Sequence, residues 1–367
     1  MGSKPPFRAE HVGSLLRPQA LKTAFRDFYS GALGKTEFKT IQDNCIRDAV
    51  AMQESVGLQS ITDGEFRRGS WFLGFVEAVE GLTTKEALFV FHDAGGGEAR
   101  VGSAYVESKL RRTKPITVDE FLFVKMLTDK TPKVTMPTPS LVHFFRGDDT
   151  VNRQAYPDIE QFWSDLVAVY REELSALAEA GCTYVQLDEV PCAMLCDPSV
   201  RDAVKAHGLD PEQLLNRYIQ VTNDLLAGRP PQMTIAMHLC RGNYKGRWMA
   251  AGGYEPVAER LFQQIDVDAF FLEFDTERAG SFEPLRLVPK EKKVVLGLIS
   301  SKTPKLETTE DIKRRIEAAS KYVGLERLAV SPQCGFASSV GGNPLTQDDQ
   351  KRKLELVVRV ADEVWGR

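Results

Sequence analysis

Short apolar runs recur along this chain, and most are followed by a longer stretch in which apolar residues return every three or four positions. A run of four to eight apolar residues closed by Gly, Pro or Asp reads as a buried strand, and the 3.6-residue period reads as an amphipathic helix. Eight candidate strands result: Arg8 to Val12, Gln59 to Thr62, Lys133 to Met136, Thr183 to Leu187, Met233 to His238, Asp268 to Glu273, Lys293 to Ile299 and Arg327 to Val330. Helical patterns run from Glu37 to Ser55, Ile159 to Ala180, Pro211 to Leu226, Thr308 to Tyr322 and Leu345 to Val364. In the second of these, Leu166, Tyr170, Leu174 and Leu177 share one stripe. Asp210 before Pro211 has the chemistry of an N-cap, as does Thr308, whose helix opens with acidic residues. Strands alternating with helices predict a parallel sheet, and eight such units predict an α/β fold closed into a single (β/α)8 TIM-type barrel. A doubly wound open sheet is the alternative.

The rhythm breaks between Leu73 and Pro132. Gly95-Gly96-Gly97 lies there between two β-prone runs, Ala87 to His92 and Arg100 to Glu107. Such a pattern predicts a β-hairpin inserted after strand 2, at about 73–132, rather than a surface loop. The sequence shows no linker, repeat or low-complexity tract. One barrel domain over residues 1–367 is therefore expected, since barrels of about 250 residues or more form one domain.

The charge balance narrows the function classes. A formal net charge of -4 argues against a nucleic-acid surface. No apolar run approaches the ~18 residues that cross a bilayer, and Met1 to Glu10 lacks the apolar core of a signal peptide. A cytoplasmic location without membrane partners is expected. There, disulfides would be reduced. The six cysteines are then buried small hydrophobes or metal and catalytic groups.

Six chemistry-bearing residues fall at carboxyl ends of candidate strands: Glu65, Asp188, His238, Cys240, Glu273 and Cys334. In a barrel that face carries the active site. One imidazole, two thiols and one carboxylate match a tetrahedral zinc site, and soft thiolates favour zinc over magnesium or calcium. Residues i and i+2 of a strand point the same way, so His238 and Cys240 can face one ion. Taken singly, both cysteines and the histidine are as consistent with core packing. Glu273, flanked by aromatics in an apolar strand, requires a cation. Cys192 and Cys196, with Cys182 nearby, have no accompanying histidine and read as incidental thiols.

The motifs His11-Val12-Gly13-Ser14, Asp63-Gly64-Glu65-Phe66-Arg67, Gln186-Leu187-Asp188-Glu189, His238-x-Cys240, Glu273 and Cys334-Gly335 span nearly the whole chain. In this order they resemble the cobalamin-independent methionine synthase family, in particular its zinc-bearing C-terminal barrel. The resemblance implies a zinc-dependent methyltransferase in methionine biosynthesis. His238, Cys240, Glu273 and Cys334 would be its zinc ligands. The candidate catalytic carboxylates Glu65 and Asp188 would bind the ammonium group of homocysteine, and Gly13 and Ser14 its carboxylate. Family members carry a histidine after strand seven, thought to assist protonation of the folate leaving group. Ser300 stands in its place and completes the candidate substrate-binding set. Phe144 takes the place of an aromatic platform for a pterin ring. The partners implied are a small-molecule thiol and a methyl donor, methyltetrahydrofolate or another. A homodimer is left open, with the inserted hairpin as a contact or a lid.

Three other readings compete. Epoxyalkane:coenzyme M transferases resemble the same family and alkylate a thiol that carries a sulfonate, for which Arg17, Arg67, Arg68 and Arg241 are candidate partners. Uroporphyrinogen decarboxylase has a similar barrel without zinc. A barrel that binds zinc or thiol without turnover is the non-catalytic reading.

Overall fold

The structure is a computed structural model and describes residues 4–87, 91–92, 98–99 and 102–366. Its strands are Ser60–Ile61 (β1), Glu80–Glu86 (β2), Gly102–Arg111 (β3), Thr131–Pro132 (β4), Val134–Pro137 (β5), Tyr184–Glu189 (β6), Thr234–Leu239 (β7), Ala269–Glu273 (β8), Lys293–Ile299 (β9) and Leu328–Pro332 (β10), together with a two-residue pair, Phe91–His92 and Glu98–Ala99. Strands β5 to β10 form one six-stranded parallel sheet whose spatial order follows the chain. Val, Ile, Leu and Phe dominate β8 and β9, as expected of strands covered on both faces.

Both edges of this sheet are extended. At one edge β4, one residue before β5, pairs in parallel with β1. At the other, Ala9 forms a parallel bridge with Val330 of β10, and Glu10 N–H donates to Val330 O at 2.9 Å. The expected strand from Arg8 to Val12 is thus a single bridge, not a ladder. Pro6 before it, and Gly13 after it at φ +137°, leave little extended backbone to pair.

Helices Ile159–Glu179, Pro211–Leu226, Thr309–Ser320 and Gln347–Trp365 match the periodic segments to within a residue or two. Asp210 accepts from Glu212 N at 2.7 Å, and Thr308 accepts from Asp311 N at 3.2 Å, so both caps form. The last helix adds a capping box between Thr346 and Asp349. Gln19–Tyr29, Pro198–Ala206 and Glu255–Gln264 are further helices that the reading of the sequence did not name. Among the described residues, no helix is long and apolar enough to cross a membrane.

Within 73–132, β2 pairs antiparallel with β3, from Glu80 opposite Arg111 to Glu86 opposite Gly102. The second β-prone run therefore takes residues 80–86 as its main partner, not Ala87 to His92. The expected turn at Gly95-Gly96-Gly97 lies outside the described residues. Strand β3 is tied to the rest of the protein by Leu110 N donating to Tyr156 Oη at 2.7 Å and Asn152 N donating to Val106 O at 2.9 Å. The buried Glu173 of helix Ile159–Glu179 accepts from Arg112 Nε at 2.7 Å and Thr117 N at 2.6 Å.

Register sets the height of each inward side chain. Asp188 lies level with His238, His238 with Phe271, Phe271 with Val295 and Val295 with Ala329. Val12, Tyr184, Ala236, Ala269, Phe271, Val295 and Ala329 form a separate apolar cluster on this face. Beside it lies a buried ion pair, Lys133 Nζ to Glu10 Oε2 at 3.3 Å. Ser60 Oγ and Tyr184 Oη donate to Glu10 at 2.7 and 3.1 Å, and Lys133 also donates to Gln186 Oε1 at 3.2 Å.

Lys133→Ala is expected to destabilise the protein by roughly 3–5 kcal/mol in denaturant unfolding, because it leaves Glu10 buried without its cation. The double variant Glu10→Gln/Lys133→Met is expected to recover most of that loss. Equal losses in both would show that packing, not charge, holds this region.

Candidate metal centre and its cavity

His238 and Cys240 sit at the carboxyl end of β7 with two-residue spacing, and Cys334 lies two residues beyond β10. Their three ligand atoms lie within 4.8 Å of one another. The backbone makes this convergence possible at Gly297. A Cβ there would stand 2.7 Å from Gln333 Cα and 2.9 Å from Leu272 O. With only hydrogen in that space, Gln333 N can donate to Ile299 O at 2.8 Å, drawing Cys334 inward.

His238 is 3% exposed, yet neither ring nitrogen has a hydrogen-bond partner. An unsatisfied buried polar group costs about 1–3 kcal/mol, so such a site calls for a ligand. The neighbouring Cys240 thiol and the His238 imidazole hold Cys334 well below the usual thiol range, while Cys240 is pushed well above it. Two thiols and an imidazole, buried and aimed together, fit a soft divalent ion such as zinc.

The Glu273 carboxylate stands outside this group of three. Its Oε1 accepts from Arg278 and lies 3.6 Å from Lys302 Nζ, and its Oε2 accepts from Arg241 N at 2.8 Å. Burial alone would raise its pKa, but Lys302, Arg278 and Arg241 hold it at about 2. The cation that the sequence requires beside Glu273 is supplied by the protein itself.

The three ligand residues line a cavity of about 520 Å³, together with Ser14, Glu65 and Asp188. Trp71, Phe72, Phe145 and Tyr244 give it an aromatic wall, and Thr84, Gly102, Ser103 and Ala104 bring β2 and β3 against it. Among the described residues, no lysine or arginine lines it.

Glu65 adopts φ 61°, a backbone conformation rarely taken by a non-glycine residue. Asp63 Oδ1 accepts from its N–H at 2.8 Å and Arg17 donates to its carbonyl at 2.8 Å, which pins that conformation. Glu65 Oε1 accepts from Thr135 Oγ1 at 3.0 Å, while Oε2 is buried without a partner. Burial raises the Glu65 pKa to about 8, against the pull of Arg68. Burial likewise raises Asp188 to about 6, against the neighbouring His238. Burial thus disfavours the charged form of both carboxyls, and the orphan Glu65 Oε2 has a hydrogen-bonding capacity that the protein itself leaves unmet.

Gly13 approaches so closely that a Cβ would meet Thr135 Cγ2 at 2.7 Å. Gly335 is as tight, since its Cβ would lie 1.9 Å from Ser14 Oγ. Ser300 is not brought in. It lies outside the cavity lining, its N–H donates to Glu307 at 2.8 Å, and its Oγ accepts from Lys302 N at 3.3 Å. Phe144 is buried edge-on against Phe145 and has no open face for a pterin; Phe145 lines the cavity instead.

The four arginines considered for a sulfonate are engaged elsewhere. Arg17 donates to the carbonyls of Glu65, Arg68, Ala337 and Ser339. Arg68 pairs with Glu120 at 2.6 Å and Arg67 with Asp43 at 2.6 Å. Arg241 donates to Gly252 O at 2.8 Å. Cys182, Cys192 and Cys196 are buried free thiols outside the three-residue group, and burial raises their pKa values. Sequence reasoning did not find Trp71, Phe72 and Tyr244. Their only signal is position, a few residues past the Asp63-Gly64-Glu65 and His238-x-Cys240 motifs.

Residues 7–363 match the profile of the family described as cobalamin-independent synthase, catalytic domain. The chain belongs to this family. It is 38% identical to the uncharacterized protein YxjH of Bacillus subtilis (strain 168), over 99% of this chain and 96% of that one. The crystal structure of a Listeria monocytogenes protein, 35% identical, superposes with a TM-score of 0.79 over all of both chains. A B12-independent methionine synthase from Shewanella sp. W3-18-1, solved in complex with selenomethionine, shares the fold with a TM-score of 0.73 at 21% identity, over 97% of each chain. The family is thus one of methionine synthase-like methyltransferases, and the α/β fold with a parallel sheet is common to it.

A raised carboxyl pKa means that folding takes up a proton. The stability contributed by Glu65 is present below its ordinary value of 4.5 and is lost as pH rises through about 8. In the ligand-free protein, the unfolding free energy is expected to fall across that window, and Glu65→Gln to flatten the slope. An unchanged slope in the variant would show that Glu65 is already ionised in the folded state.

Proposed function

We propose that this protein is a zinc-dependent S-methyltransferase that converts homocysteine to methionine. Its scaffold is a single (β/α)8 barrel over residues 1–367, with a hairpin inserted at about 73–132. The observation that carries this reading is the placement of His238, Cys240 and Cys334 in one cavity with Glu65 and Asp188. The selenomethionine held by the Shewanella protein, which has the same fold, supports a methionine-like product. The barrel is supported by the paired edges, where Ala9 meets β10 and β1 meets β4.

His238, Cys240 and Cys334 would hold the zinc, with Glu273 as the fourth ligand once it leaves Arg278 and Lys302. When bound, the metal lowers the pKa of a thiol that joins its ligands, so that the sulfur is deprotonated at neutral pH. The remaining work falls to the protein. Glu65 and Asp188 receive the substrate ammonium, and its arrival pairs both carboxylates in their charged forms. The backbone of Gly13 and Ser14, with the Ser14 side chain, takes the substrate carboxylate. Held at both charged ends, the substrate presents its sulfur to the cavity. Fixing sulfur and donor in line lowers the barrier by proximity. The aromatic wall excludes water from the reacting atoms.

The coenzyme M reading is disfavoured by Glu65 and Asp188 in the lining, which suit a thiol bearing an ammonium group better than one bearing a sulfonate.

Purified protein is expected to carry about one zinc per chain by plasma mass spectrometry, and Cys334→Ser to lose it. A wild-type chain that neither contains nor takes up zinc would remove the basis of this reading. Asp188→Asn is expected to weaken homocysteine binding roughly 10- to 100-fold by calorimetry, the loss of one charge-assisted hydrogen bond. Coenzyme M is expected not to compete. Tighter binding of coenzyme M than of homocysteine would reverse the choice of thiol.

A further inference from the structure

Both ends of the proposed substrate site rest on one buried side chain that lies outside the cavity lining. Thr135 stands in β5, opposite Gln186 of β6, and is 3% exposed. Its hydroxyl lies between two charged groups. Arg68 Nη1 donates to Thr135 Oγ1 at 3.1 Å, and Thr135 Oγ1 donates to Glu65 Oε1 at 3.0 Å. The direction is fixed, because a guanidinium can only donate. The hydroxyl must accept from Arg68, so its one proton goes to Glu65. Oε1 is thereby engaged as an acceptor. The proton that burial favours on this carboxyl then belongs on Oε2, the atom without a partner, and the same atom is left to meet an incoming ammonium.

The hydroxyl also keeps Arg68 and Glu65 apart. Arg68 Nη1 stands 4.0 Å from Glu65 Oε1, while Nη2 reaches Glu120 at 2.6 Å and Thr135 O at 2.8 Å. A direct ion pair would occupy Glu65 with the protein's own cation; a hydroxyl orients the carboxyl without bringing a charge. The other charged groups that act on Glu65 are Asp188, Arg17, Asp63 and Lys133. Of these, Arg17 is held by backbone carbonyls and Lys133 by Glu10. The methyl group of Thr135 serves the other end of the site. A Cβ on Gly13 would meet Thr135 Cγ2 at 2.7 Å and Glu65 Oε1 at 3.7 Å. Thr62 Oγ1 donates to the Gly13 carbonyl at 2.7 Å and holds this glycine, at φ +137°, from a second direction. Hydroxyl and methyl leave one carbon of restricted χ1, so Thr135 sets Glu65 and Gly13 relative to each other.

We propose that Thr135 is a positioning residue of the substrate site. Its hydroxyl turns Glu65 Oε2 to the substrate ammonium, and its methyl holds Gly13 at the substrate carboxylate. The site thereby selects thiols that carry both groups on one carbon. The proposal rests on the thiol methyltransferase reading.

The two halves separate by substitution. Thr135→Val keeps the methyl and removes the hydroxyl, and Thr135→Ser does the reverse. Binding to the full-length zinc-loaded protein is measured by calorimetry with homocysteine, with homocysteamine, which lacks the carboxylate, and with γ-mercaptobutyrate, which lacks the ammonium. Thr135→Val is expected to weaken homocysteine and homocysteamine about tenfold and to leave γ-mercaptobutyrate unchanged. Thr135→Ser is expected to weaken homocysteine and γ-mercaptobutyrate about tenfold and to leave homocysteamine unchanged. An equal loss for all three thiols, or no loss for any, would overturn the assignment. Infrared spectra of the ligand-free protein, each after subtraction of its Glu65→Gln counterpart, read the hydroxyl half without any thiol. The Glu65 band is expected to move in Thr135→Val and to stay in place in Thr135→Ser. One band position in wild type and both variants would overturn that half. If wild type binds none of the thiols, the methyltransferase reading falls, and the infrared result still decides whether Thr135 orders Glu65.

Discussion

Lys133 and Glu10 meet on the inner face of the sheet, and the rest of the molecule is arranged around that contact. Glu10 belongs to the segment beside β10, while Lys133 joins β4 to β5 at the opposite edge. Their ion pair, 3.3 Å long, links the two edges, beside hydrogen bonds from Thr62 to Gly13 O and between His11 and Ser60 O. Burying two charges is costly unless every remaining donor and acceptor is met. Here Ser60, Tyr184 and the Phe7 N–H complete Glu10, and Gln186 with the His11 carbonyl completes Lys133. The network continues upward. Gln186 Nε2 donates to Asp188 Oδ1 at 2.7 Å, so the side chain that sets the edges also orients a carboxyl of the cavity. Fold and site share one chain of hydrogen bonds.

The metal-ligand group depends on a second constraint, the absence of side chains. Gly297 lets Gln333 cross β9, and Gly335 lets Ser14 approach. Any Cβ at either place would push Cys334 or Ser14 away from the cavity. The buried His238 can remain without partners only because the surrounding strands over-determine its position, with Asp188 and Phe271 beside it in register. This is preorganisation for a ligand.

How much of this the sequence revealed follows from which interactions are local. Two-residue spacing places His238 and Cys240 on one side of a strand whatever the rest does, so the pair was legible. Cys334 and Asp188 were legible because they end strands. The partners of Glu273 were not: Arg278 and Lys302 come from loops whose paths no period describes. Ser300 entered through the resemblance, which fixes its place in the chain but not which way it faces. The ladder of β9 with β10 shifts between Gly297 and Ile299, just before it, and beyond an irregularity of that kind alternation does not fix a residue's direction. In the insertion, glycines mark a turn but do not fix a register, so β3 found its main partner earlier in the chain than its nearest β-prone neighbour suggested. The arginines show the converse limit. Their number near the motifs is visible in the sequence, but whether each faces the cavity or a backbone carbonyl is settled only by packing.

That distribution of charge bears on what the cavity can hold. Burial removes the water that would favour ionised carboxyls, so Glu65 is raised to about 8 and Asp188 to about 6. Glu65 takes up a proton on folding, and in the proposed reading the substrate ammonium takes that proton's place. Arg17 and Arg68 lie close by but stay out of the lining, through bonds made to Glu65 O, Thr135 and Glu120. The fold commits these arginines to its own backbone and its own acids, which leaves the described lining to carboxyls, thiols, an imidazole and aromatic rings among its chemistry-bearing groups.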